Sequence, residues 1–264
     1  MRKNSRWLAM MIILAVMPLT GCGFMDRLEA RRNVNSGVAA FTDMKYETAV
    51  GYFEKAVELD PELEEAWLYL GTAYSSQFVP GSADPRSEQM ALKAIETFKK
   101  IVDSAPDLAQ ANRNAMLSIA GLYYQLKKFP ESREWCEKII SVDPQNAEAY
   151  YRIAVMGYDF VSERTGLQGE NVAFMGEEEK KEAVQKIDEA LQFIEKAISS
   201  RPNYFDAMEY KNLLIREKAK FENDAALRAE LIRQADMVAL ESLELRLKAQ
   251  AEDAKRPKKI GTGN

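Results

Sequence analysis

Residues 67–74 read Trp-Leu-Tyr-Leu-Gly-Thr-Ala-Tyr, so large side chains recur every three or four residues around a single glycine. This spacing is typical of one face of an α-helix. A second pattern follows, with a small residue, Ala94, one turn before Phe98, and then Pro106. Because proline lacks an N–H, it ends a helix, and the small residues allow two helices to cross closely. The stretch therefore predicts a pair of packed helices.

The same arrangement recurs before and after this stretch. Terminal prolines stand at Pro61, Pro106, Pro144 and Pro202. One helix pair cannot bury its apolar face alone, so recurring pairs are expected to stack into a solenoid. The corresponding residues of the other repeats are Gly37, Ala49, Phe53 and Ala56, then Tyr123, Ser132 and Cys136, then Tyr150, Ile153, Ala154, Ala190 and Ala197.

These residues reproduce W-x2-L-G-x2-Y…A-x3-F…P, and the chain resembles tetratricopeptide-repeat (TPR) proteins over about residues 30–215. The resemblance implies an all-α fold, a TPR α-solenoid of paired antiparallel helices with a C-terminal capping helix. The expected segments are repeats at about 30–63, 64–108, 109–146 and 147–204, a partial repeat at 205–222, and a capping helix at 223–254.

Three insertions interrupt the repeat. Successive terminal prolines lie 45, 38 and 58 residues apart, compared with a repeat length of about 34 residues. We expect residues 76–90 and 159–181 to form loops, and the small insertion near residues 108–112 to extend a helix. Long loops in compact domains often carry function, so the two loops are candidate binding segments.

The amino terminus predicts export and lipid attachment. A basic start precedes an apolar run at residues 7–19 that is short for a transmembrane helix. Leu19-Thr20-Gly21-Cys22 then resembles the lipobox of bacterial lipoproteins. The resemblance implies a signal peptide at residues 1–21, a lipidated Cys22 and a tether at residues 22–29. Several acyl chains anchor a protein stably. The alternative is an uncleaved membrane helix.

The residue after the cysteine bears on the destination membrane. In Gram-negative lipoproteins an aspartate at this position marks retention in the inner membrane, and here the residue is Gly23. The resemblance therefore implies an outer-membrane lipoprotein that faces the periplasm, or otherwise one on the outer face of the plasma membrane.

Composition excludes several classes of function. The 264 residues include no histidine, which excludes Ser-His-Asp and Cys-His catalysis and imidazole zinc sites. There are 36 basic and 41 acidic residues, a net charge of −5. Removal of residues 1–21 leaves 33 basic residues and a charge of −8, so we expect no nucleic-acid partner. The basic tail at residues 255–264 is read as a solvated helix end.

No catalytic or metal-binding motif stands out in the sequence. We therefore expect a non-enzymatic protein with no cofactor and no metal. The alternative is a cell-wall glycan enzyme that uses carboxylates such as Glu177–Glu179. With Cys22 lipidated, Cys136 has no intramolecular disulfide partner, and we expect it in the core.

The TPR resemblance implies binding through the concave groove that the first helix of each repeat lines. This groove is apolar and aromatic, which suits an extended or helical protein segment. The clamp by which chaperone-binding relatives hold a peptide carboxylate is not expected, because Val34 and Val38 stand at its positions. The candidate contact residues are Phe41, Leu68, Thr72, Tyr124, Tyr151, Val155 and Tyr158.

Together these features predict a membrane-anchored scaffold or adaptor of the bacterial cell envelope that binds envelope proteins or peptides. Outer-membrane assembly lipoproteins and pilus or secretin pilotins have a similar layout. The C-terminal helix carries an apolar stripe at heptad spacing, which predicts a cap on the solenoid or, alternatively, a dimerising coiled coil. The stripe consists of Leu231, Ala235, Val238, Ser242 and Leu245.

Overall fold

A computed structural model describes residues 19–255 of the chain, with side chains for residues 23–252. Most of the predicted signal peptide, the side chain of the predicted lipidation site Cys22, and the basic tail after residue 255 lie outside the described residues.

The described part is all-α, as expected, and is a TPR α-solenoid. It contains ten α-helices and one 3₁₀ helix, with no strand. The α-helices are α1 (Leu19–Thr42), α2 (Tyr46–Leu59), α3 (Glu64–Ser75), α4 (Pro85–Asp103), α5 (Arg113–Gln125), α6 (Phe129–Val142), α7 (Ala147–Thr165), α8 (Glu177–Ser200), α9 (Phe205–Lys220) and α10 (Ala225–Lys255), and the 3₁₀ helix is Val172–Phe174.

The described part of the chain divides into two compact bodies, one that ends at Lys128 and one that begins at Phe129. We call them the amino-terminal and the carboxy-terminal body. In the amino-terminal body α1 packs on α2, and α3 packs on α4. In the carboxy-terminal body α7 packs on α8, and α9 packs on α10. Helix pairing is therefore the unit of construction in both bodies.

Glycine sets how closely the helices of the amino-terminal body approach. Gly37 lies against the ring of Phe53, and a Cβ added to Gly71 would be 2.7 Å from Cε1 of Phe98. Both rings are buried, with Phe53 at 0% and Phe98 at 2% exposure. The expectation that small residues mark the crossing points is confirmed here, and phenylalanine rings fill the space beside them.

In the carboxy-terminal body, α7 and α8 contact each other through small residues on both helices. A Cβ added to Gly157 of α7 would lie 2.8 Å from the Cβ of Ala190 on α8. Beside this contact, Tyr150, Ile194 and Leu214 belong to one buried cluster. Because α7 and α8 meet almost backbone to backbone, the pair leaves little room for added atoms.

The two large insertions form shorter loops than expected, because each is helical in part. In the first, α4 already begins at Pro85, and the carboxylate of Asp84 caps it by accepting from the Arg86 N–H at 2.9 Å. In the second, α7 continues to residue 165 and α8 begins at residue 177. Within the insertions, the connecting segments are residues 76–84 and 166–176. The Asp84 cap starts α4 early, whereas Gly176 before α8 makes no side-chain cap hydrogen bond.

The small insertion does not extend a helix, so that prediction was wrong. Residues 104–112 form turns between α4 and α5. The side chain of Asp107 accepts from the Gln110 N–H at 3.0 Å, and the Arg113 guanidinium donates to the carbonyl of Ala111 at 2.7 Å. These side-chain bonds offer the backbone an alternative to helical hydrogen bonds.

The C-terminal helix caps α9. Ala235 and Ser242 of the predicted stripe are buried, at 0% and 3% exposure. The side-chain amide of Asn212 on α9 donates to the carbonyl of Ala235 at 2.8 Å. The chain therefore covers the two small residues of the stripe, while Leu231, Val238 and Leu245 are half-buried.

Candidate functional site

Four predicted contact residues lie in the amino-terminal body. Thr72 is exposed, while Phe41, Leu68 and Tyr124 are half-buried. The hydroxyl of Thr72 donates to the carbonyl of Leu68 at 2.8 Å. The ring of Phe41 meets the edge of Tyr46, with centroids 5.2 Å apart. Part of each apolar side chain is therefore exposed at this surface, while the rest of the side chain packs against neighbouring residues.

The carboxy-terminal body brings Tyr151 and Tyr158 of α7 together with two further tyrosines that the sequence analysis did not select. The ring centroid of Tyr151 lies 5.0 Å from that of Tyr204 and 5.5 Å from that of Tyr210. Tyr158 contacts the same Tyr210 edge-on, also at 5.5 Å. We call these four residues the tyrosine cluster. Tyr210 belongs to α9 and Tyr204 directly precedes it, so this part of the chain covers part of the Tyr151 and Tyr158 rings.

The hydroxyls of the cluster differ in their partners. Tyr204 is buried and donates to a carboxylate oxygen of Glu148 at 2.5 Å. Among the described side chains, Arg152 Nε is the buried polar atom without a partner. Within residues 23–252 no hydrogen bond engages the hydroxyls of Tyr151 and Tyr210, and both side chains are half-buried.

Acidic and basic groups both border the tyrosine cluster, since Asp159 and Asp206 act on its hydroxyls while the Arg201 guanidinium lies 4.3 Å from the Tyr204 ring centroid. Burial, together with Asp159 and neighbouring groups, raises the pKa of Tyr210. Burial, Tyr210 and then Asp206 raise the pKa of Tyr151. Both hydroxyls therefore remain protonated at neutral pH and can donate hydrogen bonds.

One predicted contact residue is not available at the surface. Val155 on α7 is 5% exposed, so its side chain belongs to the core below the cluster. The same holds for Val34 in the amino-terminal body, also 5% exposed. The prediction of Val155 as a contact was wrong because the position that faces the groove in an ideal repeat is covered here by packed neighbours.

A second apolar surface was missed. A cavity of about 300 Å³ lies between α6, α7 and α8, and the mouth carries the ion pair of Arg133 with Glu189, 2.6 Å apart. Its signal in the sequence is an i, i+3, i+4, i+7 stripe on α7. The apolar lining consists of Phe129, Pro130, Ile153, Met156, Gly157, Phe160, Ala190 and Phe193.

The loop at residues 166–176 is held by a buried ion pair. Lys220 lies 2.7 Å from the Glu217 carboxylate and donates to the carbonyl of Gly166 at 2.8 Å. The other oxygen of Glu217 accepts from the hydroxyl of Thr165 at 2.8 Å. The exposed fractions of the Glu217 and Lys220 side chains are 7% and 14%. This network fixes the loop against α9.

The carboxylates and the thiol considered for chemistry occupy structural positions. Glu177–Glu179 are exposed in the first turn of α8, where they complement the helix dipole. Within the described residues, no three His, Cys, Asp or Glu side chains form a group suited to a metal ion. Cys136 is 0% exposed, as expected, and burial raises the pKa of its thiol to about 12.

The described helices were also compared with the requirements of a bilayer crossing. Within residues 19–255, no helix combines sufficient length with sufficient apolarity to span a membrane.

Comparison with known proteins agrees with the repeat pattern. A tetratricopeptide repeat family model matches residues 30–63 and 114–146. A MamA protein structure is similar with a TM-score of 0.56 and 20% identity, over 83% of this chain and 94% of that chain. MamA 41-end from Desulfovibrio magneticus RS-1 gives a TM-score of 0.54 and 14% identity, over 83% and 96%. At this identity the likeness concerns the fold.

No curated protein matches the sequence. The family model matches the first and third predicted repeats, whereas the fullest motif lies in the second, whose helices are separated by residues 76–84. The chain thus carries tetratricopeptide repeats within a TPR α-solenoid fold.

Proposed function

We propose that the protein is a membrane-anchored interaction scaffold of the bacterial cell envelope that binds partner proteins through its first-helix surfaces. The TPR fold supports a role in protein–protein interaction. The lipobox-like sequence ending at Cys22 supports a lipid anchor. The proposed location is the periplasmic face of the outer membrane, or otherwise the outer face of the plasma membrane.

The tyrosine cluster is the observation that carries the binding proposal. Its rings are held by edge-on and tilted contacts, while the half-buried Tyr151 and Tyr210 make no side-chain hydrogen bond within residues 23–252. A tyrosine with a fixed ring and a free hydroxyl adds contact area at low cost in conformational entropy. Such a surface is prepared for a partner before the partner arrives.

The surrounding carboxylates define the kind of segment that fits. Asp206 is exposed, and it acts with Asp159 on the tyrosines. Tyrosine faces attract cations, and carboxylates reinforce this attraction. The favoured partner is therefore a protein segment that presents apolar side chains together with lysine or arginine. Outer-membrane assembly and a pilotin-type role for pilus or secretin systems are both compatible with this preference.

The first test is capture of envelope partners by mild crosslinking in membranes, followed by purification and mass spectrometry. The double variant Tyr151→Ala, Tyr158→Ala is expected to lose partners that the native chain retains. Tyr52→Ala, a substitution at an exposed tyrosine of α2, is the matched control and is expected to retain them. Unchanged partners in the double variant would contradict the binding surface proposed here.

The anchor is tested separately by replacing the acceptor thiol. Cys22→Ser is expected to abolish incorporation of labelled fatty acid into the protein and to block processing of the signal peptide. Equal labelling of the native chain and the variant would refute lipidation at this residue and leave the tyrosine surface unaffected.

The exposed side of α10 favours a second mode of association. Opposite the stripe that packs on α9, a further apolar row is exposed at 51–59%. A dimer, if formed, would use this row and not the predicted heptad stripe. Light scattering measures the mass of the chain without residues 1–22, both native and with Leu240→Glu. A native dimer that becomes a monomer on substitution supports this mode. A native monomer excludes it. The row consists of Met237, Leu240, Leu243 and Leu247.

A further inference from the structure

The first described turns of α1 expose large apolar side chains directly after Cys22. Phe24 is 64% exposed, Met25 is 60% exposed and Leu28 is 38% exposed. Three apolar residues within five positions on one exposed helix end are unusual for a surface that meets only water. Because these three residues directly follow Cys22, we expect them to be covered by a surface that lies next to the lipid anchor.

Helical geometry places these residues opposite the face that packs on the amino-terminal body. The buried side of α1 is marked by Ala30 at 0% and Val34 at 5% exposure, four residues apart. At 100° per residue, the centre of the Phe24, Met25 and Leu28 group lies on the far side of the helix.

The same outward side becomes basic one turn further along. Arg31 and Arg32 are exposed, and neither forms an ion pair or hydrogen bond with any described residue. By the same helical geometry, the carboxylates of Asp26 and Glu29 fall away from the centre of this side. An apolar turn is thus followed by two free cations.

We propose that this outward face of α1, formed by Phe24, Met25, Leu28, Arg31 and Arg32, is a second membrane contact that lies in the headgroup layer of an anionic membrane. The inference rests on the proposed anchor at Cys22. With a rise of about 1.5 Å per residue, Phe24 and Leu28 lie about 3 and 9 Å along the helix from Cys22. The headgroup layer is about 5–8 Å thick, so the anchored chain brings this face to the interface.

The two parts of the face have complementary roles. The apolar side chains enter the boundary between headgroups and acyl chains, as in interfacial amphipathic helices. The arginines reach lipid phosphates with their long side chains, while their aliphatic stems cover apolar surface. The body of the protein is acidic, so this local basic group is what adapts the helix to an anionic surface.

The test places an environment-sensitive fluorophore on the lipidated full-length chain in vesicles of phosphatidylglycerol and phosphatidylcholine. The label is attached through Leu28→Cys, with Glu58→Cys on the exposed side of α2 as the control position. Lipidation occupies Cys22, and Cys136 is 0% exposed, so the introduced thiol is the reactive one. Quenching by aqueous iodide and by spin-labelled lipid is measured at both positions.

We expect the label at position 28 to lose more than half of the iodide quenching seen at position 58 and to be quenched by spin-labelled lipid. Arg31→Glu with Arg32→Glu should abolish this protection, because each cation near an anionic leaflet is worth about fivefold in binding, whereas Lys55→Glu should preserve it. Equal iodide access at both positions in a chain that floats with vesicles would overturn the inference alone. A chain that does not float with vesicles would overturn the anchor as well.

Discussion

In the amino-terminal body a glycine faces a phenylalanine ring at the helix crossings, as with Gly71 and Phe98, whereas in the carboxy-terminal body Gly157 faces the Cβ of Ala190. A ring can tilt to accept a new atom, but a Cβ can move only with its helix. The carboxy-terminal body also depends on the buried pair of Glu217 and Lys220. The same fold is therefore closed by aromatic filling in one body, and by backbone contact with a polar network in the other.

Loss of the buried pair should have the largest effect. Glu217→Ala leaves Lys220 buried without its partner, and removal of one member of a buried pair costs about 3–5 kcal/mol of the free energy of unfolding. Urea unfolding measures the loss, and hydrogen exchange at residues 166–176 should accelerate. Glu195→Ala breaks an ion pair whose glutamate is 56% exposed, and should cost less than about 1 kcal/mol. Equal losses of stability in the two variants would contradict the expected difference between the buried and the exposed ion pair.

Filling the glycine contacts should have the next largest effect. Gly71→Ala and Gly157→Ala each overpack a crossing, at about 1–3 kcal/mol. The bodies should differ in rescue: Phe98→Leu restores the first and Ala190→Gly the second, measured by thermal unfolding of the double variants. Gly51→Ala, with no neighbour within 4 Å of the added Cβ, should stabilise α2 by up to about 1 kcal/mol. If Phe98→Leu or Ala190→Gly does not restore stability, the strain does not arise from the contact with that residue.

Ionisation of Cys136 should produce an effect that depends on pH. Burial raises its pKa from 9.0 in the ordinary thiol to about 12 in the folded chain. The unfolded chain therefore ionises first as pH rises, so stability is intact below pH 9 and falls towards pH 12. At pH 10 the loss is about 1.4 kcal/mol. Urea unfolding at pH 7 and pH 10 should show a steeper loss in the native chain than in Cys136→Ala. Parallel losses would show that the thiol does not contribute.

The smallest effect is expected at the tip of the insertion loop. Leu167 and Phe174 are 86% and 89% exposed, so Leu167→Ser and Phe174→Ser should each change the free energy of unfolding by less than about 0.5 kcal/mol. A larger loss in thermal unfolding would mean that the loop supports the carboxy-terminal body beyond the Glu217–Lys220 pair.

The sequence predicts the helix crossing in the amino-terminal body but not the one in the carboxy-terminal body. Gly71 and Phe98 stand at their motif positions, so their contact could be predicted from the repeat alone. Gly157 lies three residues beyond Ala154, the corresponding small residue of its repeat, because the insertion lengthens both helices and moves the crossing. Periodicity does not carry information about such a shift.

The candidate site was predictable in part. The groove positions on α7 led to Tyr151 and Tyr158, but not to Tyr204 and Tyr210, because the motif of α9 diverges. The apolar cavity was missed because its walls come from three helices. Each wall has the pattern of an ordinary core stripe, and only tertiary packing shows that a cavity remains between α6, α7 and α8.

The most direct test of the scaffold proposal is site-specific photocrosslinking in intact cells. A benzophenone amino acid replaces Tyr158 in the tyrosine cluster or, as a control, Tyr52 on α2. For the scaffold proposal we expect a discrete adduct with an envelope protein from position 158 that is absent from position 52. Identical adducts from the two positions, or none from position 158 in a membrane-anchored chain, would contradict it.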